Sequence, residues 1–481
     1  MLQREKGDTE VKKIKFGTDG WRAVIADEFT FPRVRLVAQA IANYIEQSGL
    51  STRGVVIGYD NRFLSEHFAA AVAEVMAGNN ITSWLTTVAT PTPVTAYAVN
   101  ALDAGGAVMV TASHNPPEYN GIKFIPEYAG PATPEITGAI EENLKNLQVE
   151  DVCNLPLDNG KERGLVRDLD AKPLYLTHLQ KLLNYRVIHR GRMKIVVDPM
   201  WGAGIGYLED IFAGTNIELD VIHNYRDVLF GGTVPEPNAA GLASLREAVL
   251  EKGADFGLAL DGDADRFGVI DRDGEYMSPN EVLPLILDYL MEYRNWRGSV
   301  ARTVATTHML DRIAEDYGLP LVETPVGFKY IGQSLIHHRS VLGGEESGGM
   351  SVQGHVPEKD GILAASLIVE MMSGAKSLRE LQKELFGKFG CLVSARLDLK
   401  CAPDQKEKLL KRLQEWSPES IDGLAVRERS TKDGVKLVLD NGSWVLVRPS
   451  GTEPLFRLYV EATSREELSR LQENVRQVMG H

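Results

Sequence analysis

An alternation of strand and helix patterns occurs three times along this chain, and that rhythm limits the architecture more than any other feature. Val34, Val37, Ala38, Ile41, Tyr44 and Ile45 recur at helical spacing. Pro32 stands at the start of that run and Gly49 just past its end, where a helix begins and stops. Val55-Val56-Ile57 then reads as a buried strand. The same order resumes at Ile195-Val196-Val197 and again near Val300-Ala301. Alternating strands and helices build mostly parallel sheets covered by helices, so three α/β units of similar rhythm are expected, without a clear residue-level repeat. The C-terminal stretch reads differently. Strand candidates Ser443 to Val447 and Leu455 to Glu461 flank a turn, and the capping box Ser464-Arg465-Glu466-Glu467 opens a last helix. The fold class expected is α/β: three related domains with mixed, mostly parallel sheets, then a smaller α+β domain. The boundaries expected are 1–150, 172–276, 277–390 and 391–481, with polar stretches at Glu150–Arg163 and Ala402–Gln405 as linkers.

A chain of 481 residues is too long for one core, at roughly 100–200 residues per domain. Composition narrows the partners. A net charge of −14 argues against nucleic acid, which needs a basic face, but not against a small anion held by a local cluster of cations. No apolar run has the length of a membrane span, and Met1 to Lys13 is charged without an apolar core, so neither a membrane partner nor a signal peptide is expected. Cys153, Cys391 and Cys401 are far apart, which favours a reducing, cytoplasmic setting over a disulfide framework or a zinc site.

Asp261-Gly262-Asp263-Ala264-Asp265-Arg266 follows the strand candidate Phe256–Leu260 and precedes another at Phe267. Alternate residues of an extended segment point the same way, so three carboxylates converge. Each pair at ~4 Å repels by on the order of 4 kcal/mol at an effective dielectric of about 20. A cation removes that cost, and hard carboxylate oxygens suit Mg²⁺. An EF-hand beginning at Asp261 would want Gly at 266 and Glu at 272, where this chain has Arg266 and Arg272. An aspartyl-phosphate phosphatase also sets Asp-x-Asp after a strand, and a solvated acidic turn needs no chemistry at all; both readings stay open at this point.

Ala107–Val110 ends in Thr111-Ala-Ser-His-Asn-Pro-Pro117, followed by Tyr119-Asn-Gly-Ile-Lys-Phe124. Ser113 lacks the Gly-x-Ser-x-Gly elbow, and a histidine next in sequence is not expected to reach its hydroxyl, so a Ser-His-Asp hydrolase is disfavoured. Arg448-Pro-Ser-Gly-Thr-Glu-Pro454 joins the two C-terminal strand candidates. An arginine, two hydroxyls and free backbone N–H groups make a phosphate cradle, against the plainer reading of a hairpin turn. Gly343-Gly-Glu-Glu-Ser-Gly-Gly349 carries carboxylates and a hydroxyl, which suit the vicinal hydroxyls of a sugar better than an anion. Phe16-Gly-Thr-Asp-Gly-Trp-Arg22 adds an arginine after a glycine-flanked turn.

Taken in this order, Phe16–Arg22, Thr111–Pro116 with Gly121-Ile-Lys123, Asp261–Arg266, Gly344–Ser347 and Arg448–Thr452 resemble the α-D-phosphohexomutase superfamily. Glu323-Thr-Pro-Val-Gly-Phe-Lys-Tyr330, Gly-Glu-Glu-Ser and Glu358-Lys-Asp-Gly361 look more like phosphoglucomutase than phosphoglucosamine mutase. The resemblance implies four domains around a central cleft. It implies a mutase interconverting hexose 1-phosphate and hexose 6-phosphate, glucose foremost, through phosphoserine 113 and a hexose 1,6-bisphosphate that also acts as primer. It gives Asp261, Asp263 and Asp265, with a Ser113 phosphate oxygen, to Mg²⁺. Arg22, His114, Lys123 and Arg266 would surround the transferring phosphoryl. Gly327, Glu345 and Ser347 would meet the sugar, and Lys359 the ligand. Arg448, Ser450, Gly451, Thr452 and Arg457 would hold the non-reacting phosphate. Two departures stand out. Gly349 occupies a place where many bacterial relatives have His, which leaves general acid/base work to Lys359 or Lys123. Val326 replaces a Thr of the phosphoglucomutase branch. Phosphomannomutase, phosphoglucosamine mutase, an aspartyl-phosphate phosphatase acting through Asp261 and a non-catalytic sugar-phosphate binder are the competing readings, and either monomer or dimer is compatible with the sequence.

Overall fold

The computed structural model describes residues 14–17, 20–375, 377–401, 406–449 and 455–480. Ser450, Gly451, Thr452 and the Ala402–Gln405 linker expectation lie outside them. The described chain forms two compact units, residues 1–175 with 226–235, and residues 176–225 with 236–481.

The first unit holds one six-stranded sheet. Its strands lie side by side as Trp21–Val24, Tyr119–Pro126, Gly106–Val110, Val55–Tyr59, Ser83–Thr86 and Val166–Leu169. The first two junctions are antiparallel and the other three parallel. The helix expected before Val55 spans Phe31–Gln47 and buries Val34, Val37, Ala38, Ile41 and Ile45. Those residues share a core with Val55, Ile57, Val108 and Val110, which is how a 3.6-residue stripe closes one face of a parallel sheet. The stretch Glu150–Arg163, expected as a linker, instead carries the short helix Leu157–Glu162 and leads into Val166–Leu169, the sheet's last strand. Its polarity reflects an exposed edge rather than a break in the fold.

The second unit holds three sheets. In one the order is Tyr276–Met277, Phe267–Asp271, Phe256–Leu260, Met193–Asp198, Ile217–Val221. In the next it is Leu321–Thr324, Val300–Thr303, Leu342–Gly344, Met350–Val352. The last is wholly antiparallel: Val393–Lys400, Leu455–Ala462, Trp444–Pro449, Val435–Leu439, Leu424–Ser430, Ser420–Ile421. The helix Arg465–Met479 lies against it through Leu471, Val475 and Met479, and Ser464 caps it by accepting from Glu467 N, as the capping box predicts.

The three α/β sheets repeat one topology that residue identity does not reveal. In each, two parallel crossovers lead to a central strand, which turns back into an antiparallel neighbour: Gly106–Val110 into Tyr119–Pro126, Phe256–Leu260 into Phe267–Asp271, Leu342–Gly344 into Met350–Val352. An antiparallel return can be short, whereas a parallel return needs a crossover of a dozen residues or more. Each tight return therefore sits at the C-terminal end of a buried strand, where parallel sheets present their ligand-binding loops. The serine, acidic and glycine-rich motifs occupy these three returns. Among the described residues no helix is long and apolar enough to cross a membrane.

One buried carboxylate ties the second unit's helices together. Glu370, fully buried on the helix Gly361–Met372, accepts from Arg294 Nη2 at 2.7 Å, Tyr289 Oη at 2.7 Å and Asn184 N at 2.6 Å. Replacing Glu370 with Ala leaves a guanidinium without its counter-charge, an event costing about 3–5 kcal/mol. The expected outcome is a clearly lower urea midpoint for the transition reported by the second unit.

Candidate functional site

In the first unit, Ser113 is 1% exposed and adopts φ +51°, a left-handed conformation that a non-glycine residue holds only when its surroundings impose it. Those surroundings are visible. Ser113 N donates to Thr111 Oγ1 at 2.8 Å, and Thr111 Oγ1 donates to Asp60 Oδ2 at 2.6 Å. The guanidinium of Arg62, completely buried, donates to the carbonyls of Ser113 (2.5 Å), Asn115 (2.6 Å), Pro116 (2.8 Å) and Tyr119 (2.9 Å). Sequence reasoning misses Asp60 and Arg62. Their signal is an acid and a base immediately after the buried strand Val55–Tyr59, where a charge survives only if it is paired.

His114 corrects an expectation. Its Nδ1 lies 3.2 Å from Ser113 Oγ, because the left-handed turn at Ser113 folds the neighbouring side chain back toward the hydroxyl. Arg22 lies opposite Gly121 in the sheet and donates through Nη1 to Asn115 Oδ1 at 2.6 Å, within the serine turn. Lys123 is buried on the next strand, opposite Met109. Ser113, His114, Arg22 and Lys123 are thus gathered on one return and its flanking strands.

In the second unit, one oxygen from each of Asp261, Asp263 and Asp265 lies within 4.8 Å of the others, and all three side chains are buried. Asp261 Oδ1 accepts from Asp265 N at 2.9 Å and Arg266 N at 3.0 Å, which curls the turn so that the carboxylates converge. Burial, then the charges of Asp263 and Asp265, push the Asp261 carboxyl well above its usual range. Arg266 Nε stands 3.9 Å from Asp265 and its Nη1 3.8 Å from Glu236. Buried, convergent, oxygen-only donors with surplus negative charge fit a hard divalent cation. The turn is seated on the start of the helix Gly361–Met372: Gly361 N donates to Ala264 O at 3.1 Å, and a Cβ at Gly361 would lie 2.3 Å from Arg266 O.

The glycine-rich return joins this turn, since Phe267 N donates to Gly348 O at 3.3 Å. Glu345, 5% exposed, accepts from Gly327 N at 2.9 Å, which brings two expected sugar contacts together; Ser347 is half-buried at the tip of the return. Burial first, and then Glu346, raise the Glu345 carboxyl from 4.5 to about 7, against the pull of Lys359 and Arg266. Gly349 has a packing reason. A Cβ there would come within 2.6 Å of Lys359 Cδ, so the space of a side chain at 349 is filled by the lysine stem. That stem lies under the Phe328 ring, 5.5 Å from its centroid to Nζ, and carries Nζ to 3.3 Å from Asp265 Oδ2 and 3.4 Å from Glu358 Oε1.

Arg448 and Arg457 face each other across neighbouring antiparallel strands. Arg448 Nη2 pairs with Asp433 Oδ2 at 2.7 Å, and the same oxygen accepts from Val326 N at 2.9 Å. Position 326 therefore meets the C-terminal domain twice, through its backbone N–H and through its side chain, which packs on the cluster of Trp444, Leu446 and Tyr459.

Four family models match the chain in succession. The descriptions are phosphoglucomutase/phosphomannomutase α/β/α domain I at residues 13–150, domain II at 173–274, domain III at 278–389 and the C-terminal domain at 399–478. A phosphoglucomutase/phosphomannomutase of Thermococcus kodakarensis is 32% identical over 94% of this chain and 95% of its own length. A phosphoglucomutase of Komagataeibacter xylinus is 30% identical over 94% of this chain and 88% of its own. A Pyrococcus abyssi relative assigned as a phosphoglucosamine mutase is 30% identical over 96% and 97%. Among solved structures, one from Thermus thermophilus assigned as a phosphomannomutase superposes with a TM-score of 0.84 at 33% identity, covering 97% of this chain and 99% of that one. An N-acetylphosphoglucosamine mutase from Aspergillus fumigatus, solved with GlcNAc-6P and magnesium, shares the fold at a TM-score of 0.58 and 15% identity over 97% and 96%.

The raised Glu345 carboxyl makes a pH prediction. Its folded value, about 7, stands above 4.5, so the stability tied to its neutral form is full below pH 4.5 and is lost as pH rises through 7. Glu345→Gln should flatten the fall in thermal midpoint between those pH values and raise the midpoint at pH 8. Parallel midpoint curves for the two proteins would contradict the shift.

Proposed function

This chain belongs to the α-D-phosphohexomutase superfamily, whose members are intramolecular phosphotransferases, and we propose that it interconverts the 1-phosphate and 6-phosphate of a hexose with Ser113 as the phosphoryl carrier. One observation carries this reading: the serine turn, the acidic turn and the carboxylate-bearing glycine turn occupy the same position in three sheets of one topology. The division 1–150, 172–276, 277–390 and 391–481 then assigns one turn to each domain, with Arg448 and Arg457 in the fourth.

Phosphomonoesters react slowly in water, and their transfer is catalysed by alignment and charge neutralisation. In the first half-reaction the free hydroxyl of a hexose monophosphate attacks the phosphorus on Ser113. A new P–O bond forms, the bond to Ser113 Oγ breaks, and the hydroxyl proton is passed on so that Oγ ends protonated. Lys123 and Lys359 are the groups suited to shuttle that proton, with His114 beside Oγ. The bisphosphate turns end for end, and its other phosphoryl returns to Oγ by the reverse steps. Arg22, Lys123 and Arg266 offset charge on the transferring group. Asp261, Asp263 and Asp265 would hold Mg²⁺, which would supply the remaining charge neutralisation. Glu345, Ser347 and the Gly327 backbone hold sugar hydroxyls, while Arg448, Arg457 and the segment Ser450-Gly451-Thr452 hold the phosphate that is not reacting.

Glucose is the sugar we favour, on the strength of Glu323–Tyr330, Gly344–Ser347 and Glu358–Gly361. Relatives named for glucose, mannose and glucosamine phosphates stand at nearly equal identity, so the sugar is a matter for assay. With hexose 1,6-bisphosphate as primer, turnover is expected to be fastest on glucose 1-phosphate, ahead of the mannose and glucosamine 1-phosphates.

Intact-mass analysis of primed protein should show one phosphate that Ser113→Ala lacks, and turnover should vanish on chelation and return with Mg²⁺. A stable phosphate on Asp261 would turn the reading to an aspartyl-phosphate phosphatase.

A further inference from the structure

Residues 226–235 stand in sequence between two strands of the second unit, Ile217–Val221 and Phe256–Leu260, yet they fold with the first. The segment is shaped for that place. Asp227 accepts from Leu229 N at 2.9 Å and Gly231 N at 3.0 Å. Phe230, Gly231 and Gly232 take φ values of +49°, +63° and +74°, three left-handed residues in a row. The outcome is a fully buried Phe230 ring with its centroid 5.0 Å from the Arg62 guanidinium carbon. Arg226 adds a second hold. It pairs with Glu66 through Nη1 at 3.0 Å and Nη2 at 2.8 Å, and donates to the carbonyls of Asn61 and Arg62 at 3.3 Å.

Arg62 is the guanidinium that donates to four carbonyls between Ser113 and Tyr119. A planar fork of donors imposes a geometry that a flexible ammonium does not. Buried away from water, it needs compensation on its remaining sides. Asp60 supplies a carboxylate at 3.3 Å, and the Phe230 face supplies an aromatic quadrupole. The bonds go to the backbone of the turn that strains Ser113 into φ +51°, not to the surrounding apolar core.

We propose that the 226–235 strap is a positioning device for phosphoryl transfer: Phe230 and Arg226 fix Arg62, and Arg62 fixes Ser113 Oγ. The proposal rests on Ser113 as the phosphoryl carrier. Its mark is a defect in transfer without a matching defect in sugar or metal binding, since Arg62 and Phe230 belong to neither site.

The test compares Phe230→Leu, Asp227→Ala and Arg62→Lys with wild type and Ser113→Ala, all as full-length protein. Four quantities are read: the rate at which glucose 1,6-bisphosphate phosphorylates the resting enzyme, kcat, KM for hexose phosphate, and Mg²⁺ affinity by calorimetry. Displacing a nucleophile by a fraction of an ångström should lower kcat and the phosphorylation rate by about 10-fold or more, with KM and the Mg²⁺ affinity of the unphosphorylated protein within about 2-fold. Arg62→Lys should be the most impaired, because an ammonium cannot span four carbonyls. If that variant does not fold, the two strap variants carry the test. A folded Phe230→Leu with wild-type kcat and phosphorylation rate would overturn the strap proposal while Ser113→Ala remains inactive. An active Ser113→Ala would overturn the reading beneath it as well.

Discussion

Three carboxylates confined within 4.8 Å of one another and removed from water set the terms for the second unit's site. Their mutual repulsion, strengthened by burial, opposes the fold wherever no cation answers it. The neighbouring residues are arranged as that answer. Arg266 and Lys359 bring positive charge to Asp265, and the backbone N–H groups of Asp265 and Arg266 converge on Asp261. The close approach at Gly361 lets the acidic turn rest directly on the start of a buried helix. A divalent cation would complete the balance, and the proposed metal would then be part of the local architecture as well as of the chemistry.

The first unit solves a different problem with similar means. The group proposed to react there is a neutral hydroxyl, so the difficulty lies in geometry rather than charge. A strained serine is held by a hydrogen-bond chain through Thr111 to Asp60 and by a buried guanidinium gripping four carbonyls. In both units the proposed chemistry sits on the tight return from a fully buried strand. The strand gives a rigid base, and the return brings backbone groups and side chains to its end.

Gly349 shows how a departure from a family pattern can be a packing exchange. The volume that a side chain would fill there is taken by the stem of Lys359, which sets an ammonium beside Asp265 and under Phe328. At Val326 the backbone N–H bonds to Asp433 while the valine side chain packs on the cluster of Trp444, Leu446 and Tyr459.

Much of this is legible without coordinates. Helical periodicity locates Phe31–Gln47, apolar runs locate the central strands, and the serine, acidic and glycine-rich motifs stand out because chemistry demands particular atoms at short spacing. What sequence spacing cannot express is which distant residue completes a buried group. Asp60 and Arg62 stand some fifty positions before Ser113, Phe230 well over a hundred after it, and nothing local marks them as partners. The edge strand Val166–Leu169 escapes notice behind a stretch that reads as linker, because an edge is as polar as a loop. The common topology of the three sheets is likewise invisible, since strand order is decided by crossovers between buried surfaces and leaves residue identities free to drift. The sequence by itself determined the chemistry available and the elements that carry it, because those follow from local patterns and composition. The tertiary structure alone decided how Ser113 is strained, why position 349 is glycine and which carboxylates are pushed toward neutrality, because each depends on burial and on contacts between segments far apart in the chain.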